Sequence, residues 1–210
     1  MNVLYITIAG LAAYLLGSIP SAVWAGKLFH GIDVREHGSG NAGATNVIRV
    51  LGWKTGVPVL LFDMAKGFLA AMLPKLSELA PEGSAAIVNL QIFTGFMAII
   101  GHIFPVFAGF RGGKGVAAMF GILLAIHPPV TLLCLGVFLL LFLTTGIVSI
   151  GSIIAGIAFP VFLLTLFETP SLFFKIFSVM VAVALLVTHR KNIQRIIKGE
   201  EKRLFGKKQE

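Results

Sequence analysis

The sequence predicts an all-α, polytopic integral membrane protein with seven transmembrane helices, its N-terminus outside and its C-terminus cytoplasmic. Three observations lead there. First, 57% of the 210 residues are hydrophobic and only 12% are charged, and mean hydropathy is +0.93. A soluble domain of this length must clothe its exterior in polar groups, and this chain has too few. Second, the apolar residues come in runs near the about 20 needed to cross a bilayer. Third, lysine and arginine collect in three groups separated by pairs of runs, the pattern that sets membrane orientation. The runs leave no room for a sizeable extramembrane domain, so residues 1–210 read as a single membrane-embedded domain.

The seven expected spans are Asn2–Gly26, Gly56–Leu76, Ala85–Phe107, Val116–Ile126, Val130–Thr145, Ser152–Phe167 and Ser171–Thr188. The first has no positive stretch before it and continues past Gly10 to about Trp24, so it reads as a retained span and not a cleaved signal peptide. In the second, Asp63 and Lys66 fall three apart and share a helical face, as a pair or as site-facing groups. The fourth is short, because His127-Pro128-Pro129 interrupts the run from Val116 to Thr145. Proline lacks a backbone donor and disfavours helix in the residue before it, which predicts a surface turn. The alternative has five spans, with 116–145 and 152–188 each one helix. It places Glu168-Thr169-Pro170 inside the last helix.

Lys27, Arg35, Arg49 and Lys54 form the first basic group, Arg111 and Lys114 the second, and the tail from Arg190 to Lys208 the third. An odd number of spans puts all three on the cytoplasmic side. The net charge of +8 then reports topology and anionic lipid, not nucleic acid. A single cysteine, Cys134, excludes a disulfide framework and a cysteine-based zinc site. No histidine, aspartate or glutamate cluster has metal-ligand spacing.

Three polar stretches carry chemistry. His37-Gly38-Ser39-Gly40-Asn41-Ala42-Gly43-Ala44-Thr45-Asn46, with Arg49 beyond, combines glycines that let backbone N–H groups converge with side-chain donors and a permanent cation. That composition predicts phosphate or carboxylate binding. The second runs from Gly101-His102 to Arg111-Gly112-Gly113-Lys114-Gly115 and again sets backbone donors beside an ammonium. It is no nucleotide P-loop: Ala108 stands where that motif needs glycine, and Gly115 where it needs Ser or Thr. The third is His189-Arg190-Lys191-Asn192-Ile193, where His189 and Asn192 share a helical face. Ser149-Ile150-Gly151-Ser152, expected as a turn between the fifth and sixth spans, is a weaker fourth. Alone, the tail would also fit a helix resting on anionic headgroups.

His-Gly-Ser-Gly-Asn-x-Gly-Ala-Thr-Asn, Gly-His-x-Phe-Pro-Val-Phe followed by Gly-Gly-Lys-Gly-Val-Ala, and His-Arg-x-Asn-Ile, in this order along the chain, resemble the PlsY family of bacterial acyl-phosphate:glycerol-3-phosphate acyltransferases. The likeness runs over essentially the whole chain. It implies seven short helices in the bacterial cytoplasmic (inner) membrane, with the active site facing the cytoplasm. It also implies transfer of an acyl group from acyl phosphate to the first hydroxyl of glycerol-3-phosphate, giving lysophosphatidic acid and phosphate in phospholipid synthesis. By motif position, Ser39, Arg49, Lys114, His189 and Asn192 resemble the catalytic residues. Gly38, Gly40, Asn41, Gly43, Thr45, Asn46, His102, Gly112, Gly113 and Ser152 resemble substrate-binding positions. No cofactor and no metal is implied. The implied partners are the two substrates, membrane lipid and the enzyme that makes acyl phosphate. The chain departs from the family's pattern at Gly146-Ile147 and at Glu200.

The chemistry explains the residue types. Two phosphates must approach a shared acyl carbon, and their repulsion is the obstacle. Arg49 can clamp one bidentately, Lys114 can neutralise the other, and preoriented N–H groups need no reorganisation. The base is either His189 or the donor's own phosphate, and the resemblance favours the latter. Ser39 as a covalent nucleophile is the alternative to direct transfer. A transporter of a phosphorylated metabolite would use similar loops, but it commonly has a midplane site and internal repeats. None is visible here.

Overall fold

The computed structural model describes residues 3–77, 80–169 and 171–205. Asn2, Pro170, Lys207 and Lys208, which enter the expectations above, lie outside them. Among the described residues every regular element is helical: α1 (Val3–Gly17), α2 (Ser21–His30), α3 (Ala44–Leu51), α4 (Trp53–Met72), α5 (Ala85–Ile103), α6 (Val116–Ile126), α7 (Pro128–Thr145), α8 (Val148–Leu166), α9 (Leu172–Thr188) and α10 (Arg190–Ile197). Met1–Ile126 and His127–Glu210 form two compact units. The broad surfaces of exposed Leu, Ile, Val and Phe are what an integral membrane protein presents to lipid.

Several expected boundaries shift for local reasons. The first run is two helices, because Pro20 cannot donate and the chain breaks at Ser18-Ile19-Pro20. Together α1 and α2 form one apolar stretch of 28 residues, Val3–His30. α7 starts at Pro128, since its missing N–H would be unpaired in a first turn anyway. Ser149-Ile150-Gly151-Ser152 is not the expected turn: it is the opening of α8, which starts at Val148. The preceding turn is Gly146-Ile147, with Gly146 at φ +72°. α6 and α7 are separate helices, as are α8 and α9, so neither long helix of the five-span alternative forms.

Among the described residues, five helical stretches are long and apolar enough to cross a membrane, or six if α9 and α10, bent by 61° at His189, count as one. α6, with 11 residues, falls short of that criterion. At about 1.5 Å per residue it spans roughly half of an about 30 Å hydrocarbon layer.

In the first unit, helices approach until backbones touch. A Cβ on Gly17 would strike the Ala98 carbonyl, one on Gly101 the Tyr14 carbonyl, one on Gly67 the Ala118 carbonyl and one on Gly121 the Met64 carbonyl. Lipid supplies no hydrophobic drive between helices, so such van der Waals contact through small residues is what holds them. Ala13, Ala70, Ala71, Ala98 and Ala118, all fully buried, extend these faces. In the second unit, Phe159 of α8 meets Phe174 of α9 edge-on at 6.2 Å, and Leu163 is buried nearby in sequence. Phe138 of α7 lies against Gly151 of α8.

Candidate functional site

In the first unit the glycine-rich loop precedes α3. Gly38 and Gly40 take φ +63° and +72°, the left-handed region that suits glycine. At Gly38 a side chain would also collide with Asn46 Oδ1. Asn46 is 1% exposed, and its amide is spent inside the loop. Oδ1 accepts from the Ser39 N–H at 2.8 Å and the Ser39 hydroxyl at 3.1 Å. Nδ2 donates to the carbonyls of Val34 at 2.8 Å and His37 at 3.1 Å. Asn46, expected to bind substrate, is therefore the brace that sets the exposed Ser39. Asn41 folds over Gly43, which caps α3. Helix geometry leaves the first N–H groups of α3 without intrahelical acceptors and its dipole positive at that end. Thr45 and Arg49 are half-buried on this helix.

The second loop returns onto the end of α5. The Gly112 N–H donates to the Ile103 carbonyl at 3.0 Å and the Gly113 N–H to the His102 carbonyl at 3.2 Å. A Cβ on Gly113 would lie 2.5 Å from His102 Nε2 and 2.8 Å from the Ala42 carbonyl. Gly113 is thus where the two loops meet, and half-buried Lys114 is the next residue. The resulting hollow is lined by Ala42, Lys66, His102, Gly112 and Gly113, among others.

Arg35, read from sequence only as a topology charge, clasps the same loops. Its guanidinium bonds Asp33 through Nε at 2.9 Å and Nη2 at 2.7 Å, and donates from Nη1 to the carbonyls of Ala108 at 2.8 Å and Arg111 at 3.2 Å. The Arg35 hydrogen bond holds the Asp33 carboxyl far below the usual range and raises Arg35 in turn. The carboxylate beside the loops is already neutralised, so it does not oppose an incoming anion.

The second unit carries Ser152, His189 and Asn192. Ser152 is buried in the first turns of α8. His189, 5% exposed, forms the bend between α9 and α10. Its Nδ1 lies 3.0 Å from the Leu185 carbonyl. A carbonyl only accepts, so Nδ1 carries a proton. Asn192 donates from Nδ2 to Glu201 Oε1 at 2.6 Å. Glu201 also accepts from Ser149 at 2.8 Å and from Arg195 Nε at 2.6 Å. Burial alone would raise this carboxyl, but the Arg195, Asn192 and Ser149 hydrogen bonds outweigh it and leave the pKa below 4.5. Beyond it the tail folds back: the Leu204 N–H donates to the Gly146 carbonyl at 2.7 Å, and Phe205 meets Phe142 edge-on at 4.9 Å. Sequence reasoning missed Glu201. Its only local signal is a position six after Arg195 and nine after Asn192. The structure thus gathers Gly38 to Arg49 with His102 to Lys114 in one unit, and Ser152, His189 and Asn192 in the other. Among the described residues no histidine, cysteine, aspartate and glutamate side chains cluster as a metal site would require.

Residues 7–199 match the family described as glycerol-3-phosphate acyltransferase. The chain belongs to that family. A glycerol-3-phosphate acyltransferase of Chlorobaculum tepidum is 45% identical, covering 94% of this chain and 96% of that one. Another, from Chlorobium luteolum, is 43% identical over 93% and 95% of the two chains. In fold, the chain is similar to the crystal structure of PlsY, an integral membrane glycerol 3-phosphate acyltransferase, in its glycerol 3-phosphate form. The TM-score is 0.82 at 36% identity, covering 96% of each chain. The lysophosphatidic acid form gives 0.79 at 35% identity, over 96% of this chain and 95% of that one. Family membership makes the chain a glycerol-3-phosphate acyltransferase and an integral membrane protein.

Proposed function

We propose that the chain transfers an acyl group from acyl phosphate to the first hydroxyl of glycerol-3-phosphate, releasing lysophosphatidic acid and phosphate. The observation that carries this reading is the meeting of loop 37–46 with Gly112-Gly113-Lys114 at Ala42 and Gly113. Lys114 follows Gly113 in the chain, and the nearby carboxylate, Asp33, is paired to Arg35. The solved relatives in glycerol 3-phosphate and lysophosphatidic acid forms support the acceptor and the product.

In the proposed reaction Lys114 holds the acceptor phosphate, and Arg49 faces the donor phosphate. The acceptor hydroxyl oxygen attacks the acyl carbon. The bond from that carbon to the phosphate oxygen breaks, and the departing phosphate takes the hydroxyl proton. His189 and Asn192 orient the acceptor, and Ser39 and Ser152 position the carbonyl. Ser152, His189 and Asn192 are assigned to the same reaction, the two units acting as one acyltransferase domain. No cofactor is assigned. We place seven spans in the bacterial inner membrane, with α6 as the short one, the N-terminus outside and the basic loops and tail in the cytoplasm.

The test is an assay in detergent micelles, where transport has no meaning. Purified protein given acyl phosphate and glycerol-3-phosphate should yield lysophosphatidic acid and phosphate in equal amounts. An acyl-enzyme trapped in the absence of acceptor would replace direct transfer by a Ser39 mechanism. Absence of product, with glycerol-3-phosphate instead crossing proteoliposomes, would make the protein a transporter.

A further inference from the structure

The first unit buries an ion pair that the proposed reaction does not use. Lys66 Nζ lies 2.8 Å from Asp63 Oδ1, with both side chains 2% exposed. An ion pair so deep in an apolar stretch persists only when its remaining hydrogen-bonding capacity is met. Here it is met from two directions. Lys66 Nζ donates to the Ile19 carbonyl at 2.8 Å, in the break between α1 and α2. The hydroxyl of Ser21, the first residue of α2, donates to Asp63 Oδ1 at 2.7 Å. The pair therefore takes up a backbone acceptor that the helix break releases.

The same carboxylate faces the second loop. His102 Nδ1 lies 3.7 Å from Asp63 Oδ1 and has no hydrogen-bond partner, although the ring is 6% exposed. The ring's other nitrogen points at Gly113, and the His102 carbonyl accepts the Gly113 N–H at 3.2 Å. Lys66 lines the hollow beneath Gly112 and Gly113. Behind His102, Gly101 packs on the Tyr14 carbonyl and the Ser18 amide, so the α1–α2 break and the end of α5 share one polar seam. His102 is thus held between the buried charges and the loop that presents Lys114.

We propose that Asp63 and Lys66 are positioning residues for the Gly112-Gly113-Lys114 loop, acting through His102 and the α1–α2 break. This rests on the loop binding glycerol-3-phosphate. Asp63 lies along the imidazole edge at 3.7 Å, and the imidazole and its carbonyl hold Gly113. Lys66 prevents the carboxylate from standing unpaired. The effect of the pair appears in how well the loop grips the anion.

The double variant Asp63→Asn, Lys66→Met removes both charges together, so neither is left buried alone. Its KM for glycerol-3-phosphate should rise at least about tenfold, with kcat and the KM for acyl phosphate changing by less than about threefold. Titration calorimetry with glycerol-3-phosphate alone should give the same weakening. A monodisperse double variant whose KM and Kd for glycerol-3-phosphate stay within twofold of the parent overturns the inference and leaves the pair a packing feature. If the double variant aggregates, His102→Gln decides, because it leaves the pair and its bonds to Ile19 and Ser21 in place. The same selective rise is expected, and an unchanged KM is the overturning result. A parent protein that neither binds nor acylates glycerol-3-phosphate would instead sink the proposed function.

Discussion

The two units hold their site residues by opposite means. In the first, backbone does the work: glycines at Gly38, Gly112 and Gly113 bring chain against chain, and Asn46 and Arg35 tie the loops through main-chain carbonyls. In the second, side chains contribute more: Glu201 gathers Asn192 with Ser149 and Arg195. A backbone cradle is sensitive to added volume and indifferent to pH. A carboxylate clamp is sensitive to protonation and tolerant of size. The first suits residues that must present many N–H groups to one anion, and the second suits a few side chains drawn from separate helices.

The largest effect should come from the charge that the first cradle carries. Lys114→Met should lower kcat/KM by about 10³-fold, the scale of losing an electrostatic donor in a preorganised site, with unchanged elution from size exclusion in detergent. Near-normal turnover would remove Lys114 from the site. Next comes volume. Gly38→Ala and Gly40→Ala both meet a left-handed φ, but the first also meets Asn46 Oδ1, whereas the second meets only the Arg35 carbonyl at 3.4 Å. Activity should fall about 10²-fold in the first, as for a misplaced positioning group, and clearly less in the second. Equal losses would mean that backbone strain, not the Asn46 brace, decides.

The clamp is the place to look for pH. Because the folded Glu201 carboxyl titrates below 4.5, its stabilisation is complete above pH 4.5 and is lost as pH falls through the lower folded value. Thermal unfolding of Glu201→Gln should therefore differ from the parent at pH 7 and converge with it in acid. Its turnover at pH 7 should drop about tenfold, equivalent to one charged hydrogen bond of about 1.5 kcal/mol. A constant gap across pH would deny the carboxylate this role. The smallest effect belongs to Arg35→Lys. An ammonium cannot span Asp33, Ala108 and Arg111 as the guanidinium fork does. Turnover should fall about fivefold, equivalent to one neutral hydrogen bond of about 1 kcal/mol, and no change would make the clasp dispensable.

What sequence made legible follows the same divide. The α6 boundaries agree to the residue, because Gly115 and His127-Pro128 punctuate an uninterrupted apolar run. Both glycine loops were visible as composition, since a backbone cradle must be written in glycine. The break at Ser18-Ile19-Pro20 was not separated from the apolar run around it, because hydropathy averages over such a short interruption. Ser149 to Ser152 looked like a turn because serine and glycine favour turns, yet the helix there is set by packing on Phe138. Arg35 and Glu201 were illegible as site-builders. Their partners lie up to 76 and 52 positions away, and a charge near a membrane boundary already has an adequate topological explanation.

The four glycines at the helix contacts, Gly17, Gly67, Gly101 and Gly121, carry a consequence for mutational scanning. Each faces a carbonyl that leaves no space for even a methyl group. In a saturation screen scored by growth, they should be as intolerant as Lys114, though none has a chemical group to offer a reactant. Measuring protein abundance beside turnover would separate the two kinds of intolerance: steric positions would lose the protein, and chemical ones only its product.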